Sequence, residues 1–145
     1  MDDQDRQIIA LLVEDGRRTY DDIGQRVSLS APAVKRRVDR LRSRGALQGF
    51  TAVVDHNALG DHTEALIELF YAPGTLLDAV TNTLRRHPEV VEAWSVTGEA
   101  DAIARVRTQN NTDLERLIMD LQRDGHVVRT RSQVVMSRLL SRAGS

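Results

Sequence analysis

The fold of the N-terminal part follows from one stretch, residues 28–45, which reads SLSAPAVKRRVDRLRSRG. Ser30 is a preferred N-cap residue, and Pro32 lies in the first helical turn, where its missing N–H costs little. Gly45 is suited to end the helix. The apolar residues between them fall on one helical stripe: Val34, Val38 and Leu41. The stretch therefore predicts a short break followed by a helix with one buried face.

Two shorter helical patterns precede this stretch. Apolar residues recur at helical spacing from Asp3 to Asp15, and Gly16 supplies a stop. Thr19, followed three residues later by Asp22, is a capping-box pattern that starts a second short helix. Two helices, a tight turn and a third helix together predict a helix-turn-helix.

The positive charge of the chain is concentrated in the same stretch. The formal net charge of the 145 residues is only −1, but residues 26–44 carry seven basic side chains and a single acidic one, Asp39. The rest of the chain is acidic on balance. A local positive field of this kind is what a phosphate backbone attracts.

Beyond residue 45 the pattern changes. Residues 46–54, ALQGFTAVV, predict a strand that leaves the helical module, and the polar residues 55–62 predict a linker. We therefore expect three parts: a helix-turn-helix domain with its exit strand over 1–54, a linker over 55–62 and a second domain over 63–145.

The second domain alternates strands and helices. Strands are predicted at 64–71, 90–97, 102–107 and 127–136. Thr75 with Asp78 predicts the start of one helix, and Thr112 with Glu115 the start of the other. The order βαββαβ predicts a ferredoxin-like α+β domain, with both helices on one face of an antiparallel sheet. Because each domain is too small to bury much core alone, we expect the open face of the sheet to pair with a second copy.

The third helix supplies the candidate DNA-contacting residues. If its apolar stripe points inward, the opposite face presents Pro32, Arg36, Asp39, Arg40 and Ser43, with Lys35 and Arg37 beside it. The guanidinium of Arg36 is suited to a guanine edge, whereas Ser30, Lys35 and Arg40 are suited to phosphates. The alternative is a solvated charged face. For Arg37 an ion pair with Asp5 or Asp22 is an equal alternative to DNA contact. The predicted set is Ser30, Ala31, Pro32, Lys35, Arg36, Arg37 and Arg40.

Four segments in order resemble the Lrp/AsnC, or feast/famine, transcription regulators. They are Asp5-Arg6 with Ile8-Ile9, the segment from Val27 to Leu41, the exit GALQGFTA at 45–52, and Gly98 with Asp101. The resemblance covers almost the whole chain. It implies a winged-helix-like DNA-binding domain and a ferredoxin-like regulatory domain that pairs sheet to sheet in dimers, which in many members form an octameric ring. It also implies a small effector, most often an amino acid, bound between regulatory domains.

The loop from Thr97 to Asp101 is the candidate effector site. Gly98 allows close approach of the backbone or a positive φ, loop N–H groups can hold a carboxylate, and Asp101 can pair with an ammonium group. Glu99 would disfavour an acidic effector. A plain β-turn is the alternative. The family pattern adds Ser95 and Gln122, so the predicted effector set is Ser95, Thr97, Gly98, Glu99, Asp101 and Gln122.

Other classes of function are less well supported. The chain has no cysteine, its four histidines have no metal-ligand spacing, and no apolar run is long enough to cross a membrane. We expect a cytoplasmic regulator without catalytic residues, metal or cofactor, which binds double-stranded DNA as a homodimer or a higher even oligomer such as an octamer. Two alternatives remain: a DNA-compacting protein of low sequence preference, and an enzyme similar to the haem-biosynthesis decarboxylases.

Overall fold

A computed structural model describes residues 1–142 of the chain. Contacts divide these residues into two compact units. One unit comprises Met1–Val53 together with the chain from Leu139, and the other comprises Val54–Arg138. This division does not test where a linker begins and ends, so the bounds 1–54, 55–62 and 63–145 stay a prediction.

The N-terminal unit contains the three predicted helices: α1 (Asp3–Glu14), α2 (Tyr20–Val27) and α3 (Ala31–Ser43). The side chains of Thr19 and Ser30 accept hydrogen bonds from backbone N–H groups in the first turns of α2 and α3, which confirms both predicted caps. Each helix contributes to one aliphatic core: Ile8, Leu12, Ile23, Val27, Val34, Val38 and Leu41. The helical spacing of these residues therefore allows the three helices to pack around one core.

The exit strand predicted over 46–54 is wrong. No strand forms there, and Phe50, Val53 and Val54 are exposed. The apolar and β-branched residues give this segment strand propensity, but a strand also needs a neighbour for its backbone N–H and C=O groups. Within residues 1–142, no strand pairs with this segment.

The second unit has the order βαββαβ. Its elements are β1 (Thr63–Tyr71), α4 (Leu77–Arg85), β2 (Val90–Ser95), β3 (Ala102–Thr108), α5 (Asn111–Gln122) and β4 (Val127–Val134). The four strands form one antiparallel sheet in the order β2-β3-β1-β4. This arrangement confirms the predicted ferredoxin-like α+β fold.

Both predicted caps in this unit are wrong. Helix α4 begins at Leu77 after Leu76, which makes no side-chain cap, so Thr75 and Asp78 form no capping box. Helix α5 is capped by Asn110, whose side chain accepts the N–H of Asp113 at 2.9 Å. Asn and Thr are both good N-caps, and α5 uses Asn110, which lies two residues before Thr112.

The two faces of the sheet differ in character. Alternate residues of β1 and β3 are buried beneath the helices and pack with Leu114, Leu117 and Leu121 of α5. The opposite face carries ion pairs: Arg105 binds Glu64 at 2.7 Å and Glu92 at 2.9 Å, and Arg131 binds Glu68. Burial alone would raise the pKa of Glu64, but its hydrogen bond to Arg105 and the nearby positive charges outweigh burial and lower it.

Apolar side chains lie between these ion pairs. Leu66 and Ile103 point to the open face because they alternate with the buried residues of their strands. Trp94 is the register partner of Ile103 and is 47% exposed. The guanidinium of Arg129 lies 3.8 Å from the centroid of the Phe70 ring. The open face thus combines internally paired charges with exposed apolar area.

Candidate DNA-binding surface and effector loop

The turn between α2 and α3 fixes the direction of the recognition helix. Ser28 adopts a left-handed conformation, with φ of 57°, and Leu29 N–H donates to the carbonyl of Gly24 at 2.9 Å. Gly24 is buried so close to Leu29 that a Cβ atom would lie 2.4 Å from the Leu29 oxygen. Only glycine permits this approach of the two backbones. Ser30 then caps α3, with Pro32 in its first turn.

The buried stripe of α3 leaves a basic face exposed. Pro32, Lys35, Arg36 and Arg40 are all exposed on it, whereas Ala31 is half-buried. Within residues 1–142, Arg36 makes no hydrogen bond or ion pair, so its five N–H donors are available to a ligand. Arg40 lies 3.9 Å from Asp5, at the outer limit of an ion pair.

Lys35 has an acidic neighbour on the same helix. Its Nζ lies 2.7 Å from the carboxylate of Asp39, and both side chains are more than half exposed. The hydrogen bond to Asp39 raises the pKa of Lys35. An exposed pair one helical turn apart is weak, so the ammonium group can exchange Asp39 for a phosphate.

Arg37 is held inside the N-terminal unit. Its guanidinium donates to Asp2 and Asp5 at 2.7 Å each, and to the side-chain oxygen of Gln4 at 2.8 Å. The hydrogen bond from Arg37 outweighs burial and lowers the pKa of Asp5. The ion pair considered as the alternative role of Arg37 is therefore present, with Asp5 and not with Asp22. Asp2 and Gln4 had not been recognised as partners.

The predicted effector loop joins β2 to β3. Gly98 has a φ of 110°, a backbone conformation that residues with a side chain rarely adopt. Thr97, Gly98 and Glu99 are exposed. The N–H groups of these three residues have no acceptor within residues 1–142. Glu99 lies 3.8 Å from Arg131. Donors for a carboxylate are thus available in the loop, as its sequence predicts.

Asp101 is anchored by β1. One carboxylate oxygen accepts the backbone N–H of Tyr71 at 2.8 Å, and the backbone N–H of Asp101 donates to the carbonyl of Leu69 at 3.0 Å. Burial and the charge of Asp101 both raise the pKa of the Tyr71 hydroxyl. Tyr71 was not among the predicted residues. Its position at the end of β1, opposite the loop in the ferredoxin-like order, is the signal that could have identified it.

Ser95 and Gln122 lie at opposite edges of the sheet. Ser95, Ala102, Leu69 and Thr130 form one row across the four strands. Gln122 donates to Thr130 at 3.3 Å, at the far end of that row. Three strand spacings separate the two edges by about 14 Å. Within one chain, Ser95 therefore lies beside the loop residues, whereas Gln122 lies at the opposite edge of the sheet from them.

Residues 1–142 contain neither a membrane-spanning helix nor a candidate metal-binding cluster. Within residues 1–142, no helix is both long and apolar enough to cross a bilayer. The histidines and carboxylates of these residues form no group of three or more that could hold a metal ion.

Comparison with known proteins identifies the families of both domains. The family model of the AsnC-type helix-turn-helix domain matches residues 1–42, and that of the Lrp/AsnC ligand binding domain matches residues 64–144. The HTH-type transcriptional regulator Rv2324 of Mycobacterium tuberculosis is 46% identical, with 98% of this chain and 96% of the relative covered. The chain belongs to the Lrp/AsnC family of transcriptional regulators.

Solved structures of transcriptional regulators share the fold. The leucine response regulatory protein LrpA of Mycobacterium tuberculosis superposes with a TM-score of 0.87 at 33% identity, over 97% of this chain and 96% of that one. A complex of the regulator NMB0573 of Neisseria meningitidis with L-Met gives a TM-score of 0.87 at 23% identity, over 98% and 94%. These matches do not favour the DNA-compacting protein or the decarboxylase-like enzyme.

Proposed function

We propose that this Lrp/AsnC regulator reads DNA with α3 and that a small effector, an amino acid, modulates its DNA binding or its assembly. The observation that carries the DNA-reading role is the exposed face of α3, where the guanidinium of Arg36 has no partner within residues 1–142. A recognition helix reads base edges from its N-terminal half and holds phosphates at its margins. Arg36 therefore takes a base edge, and Ser30, Lys35 and Arg40 take phosphates, with Ala31 and Pro32 against the groove.

Arg37 has a different role in this proposal. Its guanidinium is 19% exposed and is held by the acidic start of α1, so it orients α3 on α1. Removing it would leave the buried carboxylate of Asp5 without its cation. We therefore leave Arg37 out of the DNA-contacting set.

The loop over 97–101 is the proposed effector site. Its free N–H groups suit a carboxylate, and the second oxygen of Asp101 suits an ammonium group, which together describe a zwitterion. The NMB0573 complex supports this because a protein with the same fold holds L-Met. Gln122 lies at the far edge of the sheet, so it joins the site only if a second copy supplies it. A coupling of roughly 1–3 kcal/mol between effector and DNA is usual.

The open face of the sheet is the proposed surface through which copies of the chain assemble. This face carries paired charges and exposed apolar side chains, including Trp94. We propose that two copies pair through this face, in a homodimer or a higher even oligomer. Two copies of α3 then enter successive major grooves, about 34 Å apart or a multiple of it. The protein acts in the cytoplasm and performs no catalysis.

The test is a titration of fluorescent DNA from the upstream region of the gene, against random DNA, at two salt concentrations. We expect a preference for the upstream fragment that survives the higher salt, since base contacts depend less on salt than phosphate contacts do. Equal affinity that collapses with salt would indicate a DNA-compacting protein. No binding to either fragment would contradict the proposal.

A further inference from the structure

Asp39 is the one acidic residue in the basic stretch of the chain. Residues 26–44 carry seven basic side chains, and Asp39 alone is acidic. The buried stripe of α3 places Asp39 on the exposed face that also carries Arg36 and Arg40. Its side chain is 52% exposed. Phosphates repel a carboxylate on a surface that approaches DNA, so its presence on this face requires a reason.

The stability of the helix does not supply that reason. The carboxylate of Asp39 lies 2.7 Å from the ammonium group of Lys35, and within residues 1–142 it makes no other ion pair. Exposed pairs four residues apart contribute little to stability. The order found here, with the cation first, is the less stabilising of the two. The pair therefore stabilises α3 little, although it places a negative charge on the surface proposed to face DNA.

Binding to DNA separates this pair. Lys35 is one of the proposed phosphate contacts, so its ammonium group leaves Asp39 when it takes a phosphate. The carboxylate of Asp39 then faces the major groove without a cation. Because a charge that loses water without gaining a partner is costly, the carboxylate needs a hydrogen-bond donor. The donors that the major groove offers are the N4 amino group of cytosine and the N6 amino group of adenine.

We propose that Asp39 is a specificity-determining residue whose carboxylate accepts a hydrogen bond from the N4 amino group of a cytosine. The inference rests on the proposed DNA-reading role of α3 and names a base that the helix reads. Cytosine suits a carboxylate better than adenine does, because adenine presents the acceptor N7 beside its amino group. Residues 36 and 39 lie about 4.5 Å apart along the helix axis, close to the ~3.4 Å spacing of base pairs. Arg36 and Asp39 therefore read neighbouring base pairs.

Two substitutions of Asp39 test this assignment. Footprinting locates the site bound in the upstream fragment, each base pair of that site is replaced in turn, and fluorescence anisotropy gives the affinities. We expect the wild type to lose about fivefold or more in affinity when the cytosine is replaced. Asp39→Ala should remove the preference at this base pair and bind random DNA more tightly, because the repelled charge is gone. Asp39→Asn should move the preference towards adenine, with which an amide pairs bidentately.

Two further variants separate base reading from the loss of a charge and from the pair with Lys35. Asp3→Asn changes an exposed carboxylate of α1 in the same unit and should keep every base preference of the wild type. Lys35→Ala should weaken binding to all DNA similarly and keep the preference for cytosine. Adding Asp39→Ala to Lys35→Ala should then remove that preference. Circular dichroism checks that each variant folds as the wild type does.

The outcomes separate this inference from the proposed function. If the wild type prefers the upstream fragment and Asp39→Ala keeps all its base preferences, Asp39 is only the helix partner of Lys35. The inference is then overturned, whereas the DNA-reading role of α3 stands. The same conclusion follows if Lys35→Ala alone abolishes the preference for cytosine. If the wild type does not prefer the upstream fragment, the proposed function fails and the inference fails with it.

Discussion

Gly24 shows at the residue scale how the helix-turn-helix depends on one missing methyl group. An alanine Cβ would lie 2.4 Å from the carbonyl oxygen of Leu29, so the turn between α2 and α3 must shift. Overpacking of this kind costs roughly 1–3 kcal/mol. We expect Gly24→Ala to lower the free energy of unfolding in urea by that amount.

Gly49→Ala is the matched control for this substitution. Nothing lies within 4 Å of the Cβ atom that it would add. Its stability should stay within about 0.5 kcal/mol of the wild type. If the two alanine variants were equally stable, the close approach at Gly24 would have no energetic role.

Asp5 gives the N-terminal unit a dependence on pH. Its folded pKa lies below the ordinary value of 3.8, mainly because Arg37 binds it. The ionised carboxylate therefore stabilises the fold fully above that value, and the contribution is lost as the pH falls through 3.8 to the lowered folded pKa.

The test of this pH dependence is urea unfolding of wild type and Asp5→Asn between pH 7 and pH 2.5. The wild type should be the more stable at pH 7, and the difference should narrow below pH 4. Asp3→Asn is the control because its ion pair with Arg6 is exposed on both sides. A difference between wild type and Asp5→Asn that is constant with pH would contradict the role of the ion pair.

Sequence alone could not choose between Asp5 and Asp22 as the partner of Arg37. Both carboxylates belong to the first two helices, and nothing in their spacing to Arg37 separates them. The structure shows that Asp22 is occupied by Arg18 at 2.7 Å and Arg26 at 3.2 Å, each four residues away on the chain. A local pair of this kind needs no tertiary contact. Asp5 is left for the longer-range partner.

At the scale of elements, the helix-turn-helix was predictable because its signals are local. In α3 the N-cap residue, the buried apolar residues and the terminating glycine all lie within one short stretch. The helix of the structure begins after Ser30 and ends before Gly45, as predicted. The prediction of the exit strand was wrong because a strand also requires a neighbouring strand to pair with, and the sequence does not show whether one is present. The caps of α4 and α5 failed because each helix does begin within two residues of the predicted Thr, so the Thr-x-x-acid pattern indicated the region of the helix start but not the capping residue.

Helix α3 carries the main functional prediction at this scale. Arg36→Ala should weaken binding to the specific fragment by about 1–3 kcal/mol and relax the preference at one base pair. Arg40→Ala should weaken binding to all DNA similarly and reduce the salt slope by about one unit. Both are measured by fluorescence anisotropy over a range of salt concentrations.

Arg6→Ala is the control for the loss of one positive charge. Arg6 lies in the same unit as α3, and within residues 1–142 its only ion pair is with exposed Asp3. The DNA affinity of the Arg6→Ala variant should match that of the wild type. If Arg36→Ala and Arg40→Ala also bind as the wild type does, α3 is not the reader.

At the scale of the whole molecule, the open sheet face decides whether two copies of α3 act together. Trp94→Asp would place an unpaired charge among the exposed apolar residues of that face and disfavour pairing. We expect sedimentation equilibrium to show an even oligomer for the wild type and a smaller species for this variant. Its affinity for DNA with two half-sites should fall towards the affinity for one half-site.

Met119→Asp is the matched control for assembly. Met119 is 65% exposed but belongs to α5, on the other side of the sheet. Its oligomeric state should be that of the wild type. If Met119→Asp dissociates the protein and Trp94→Asp does not, the copies pair through the helices instead of the sheet.

Trp94 is also the single tryptophan of the chain, half-exposed on an edge strand of the sheet. Its indole fluorescence therefore comes from one known place, without a background from other indoles. As the protein is concentrated through the range in which copies associate, the emission maximum should move to shorter wavelength while water leaves the ring. Trp94 is therefore an intrinsic fluorescence probe of assembly, and no dye needs to be attached to the protein.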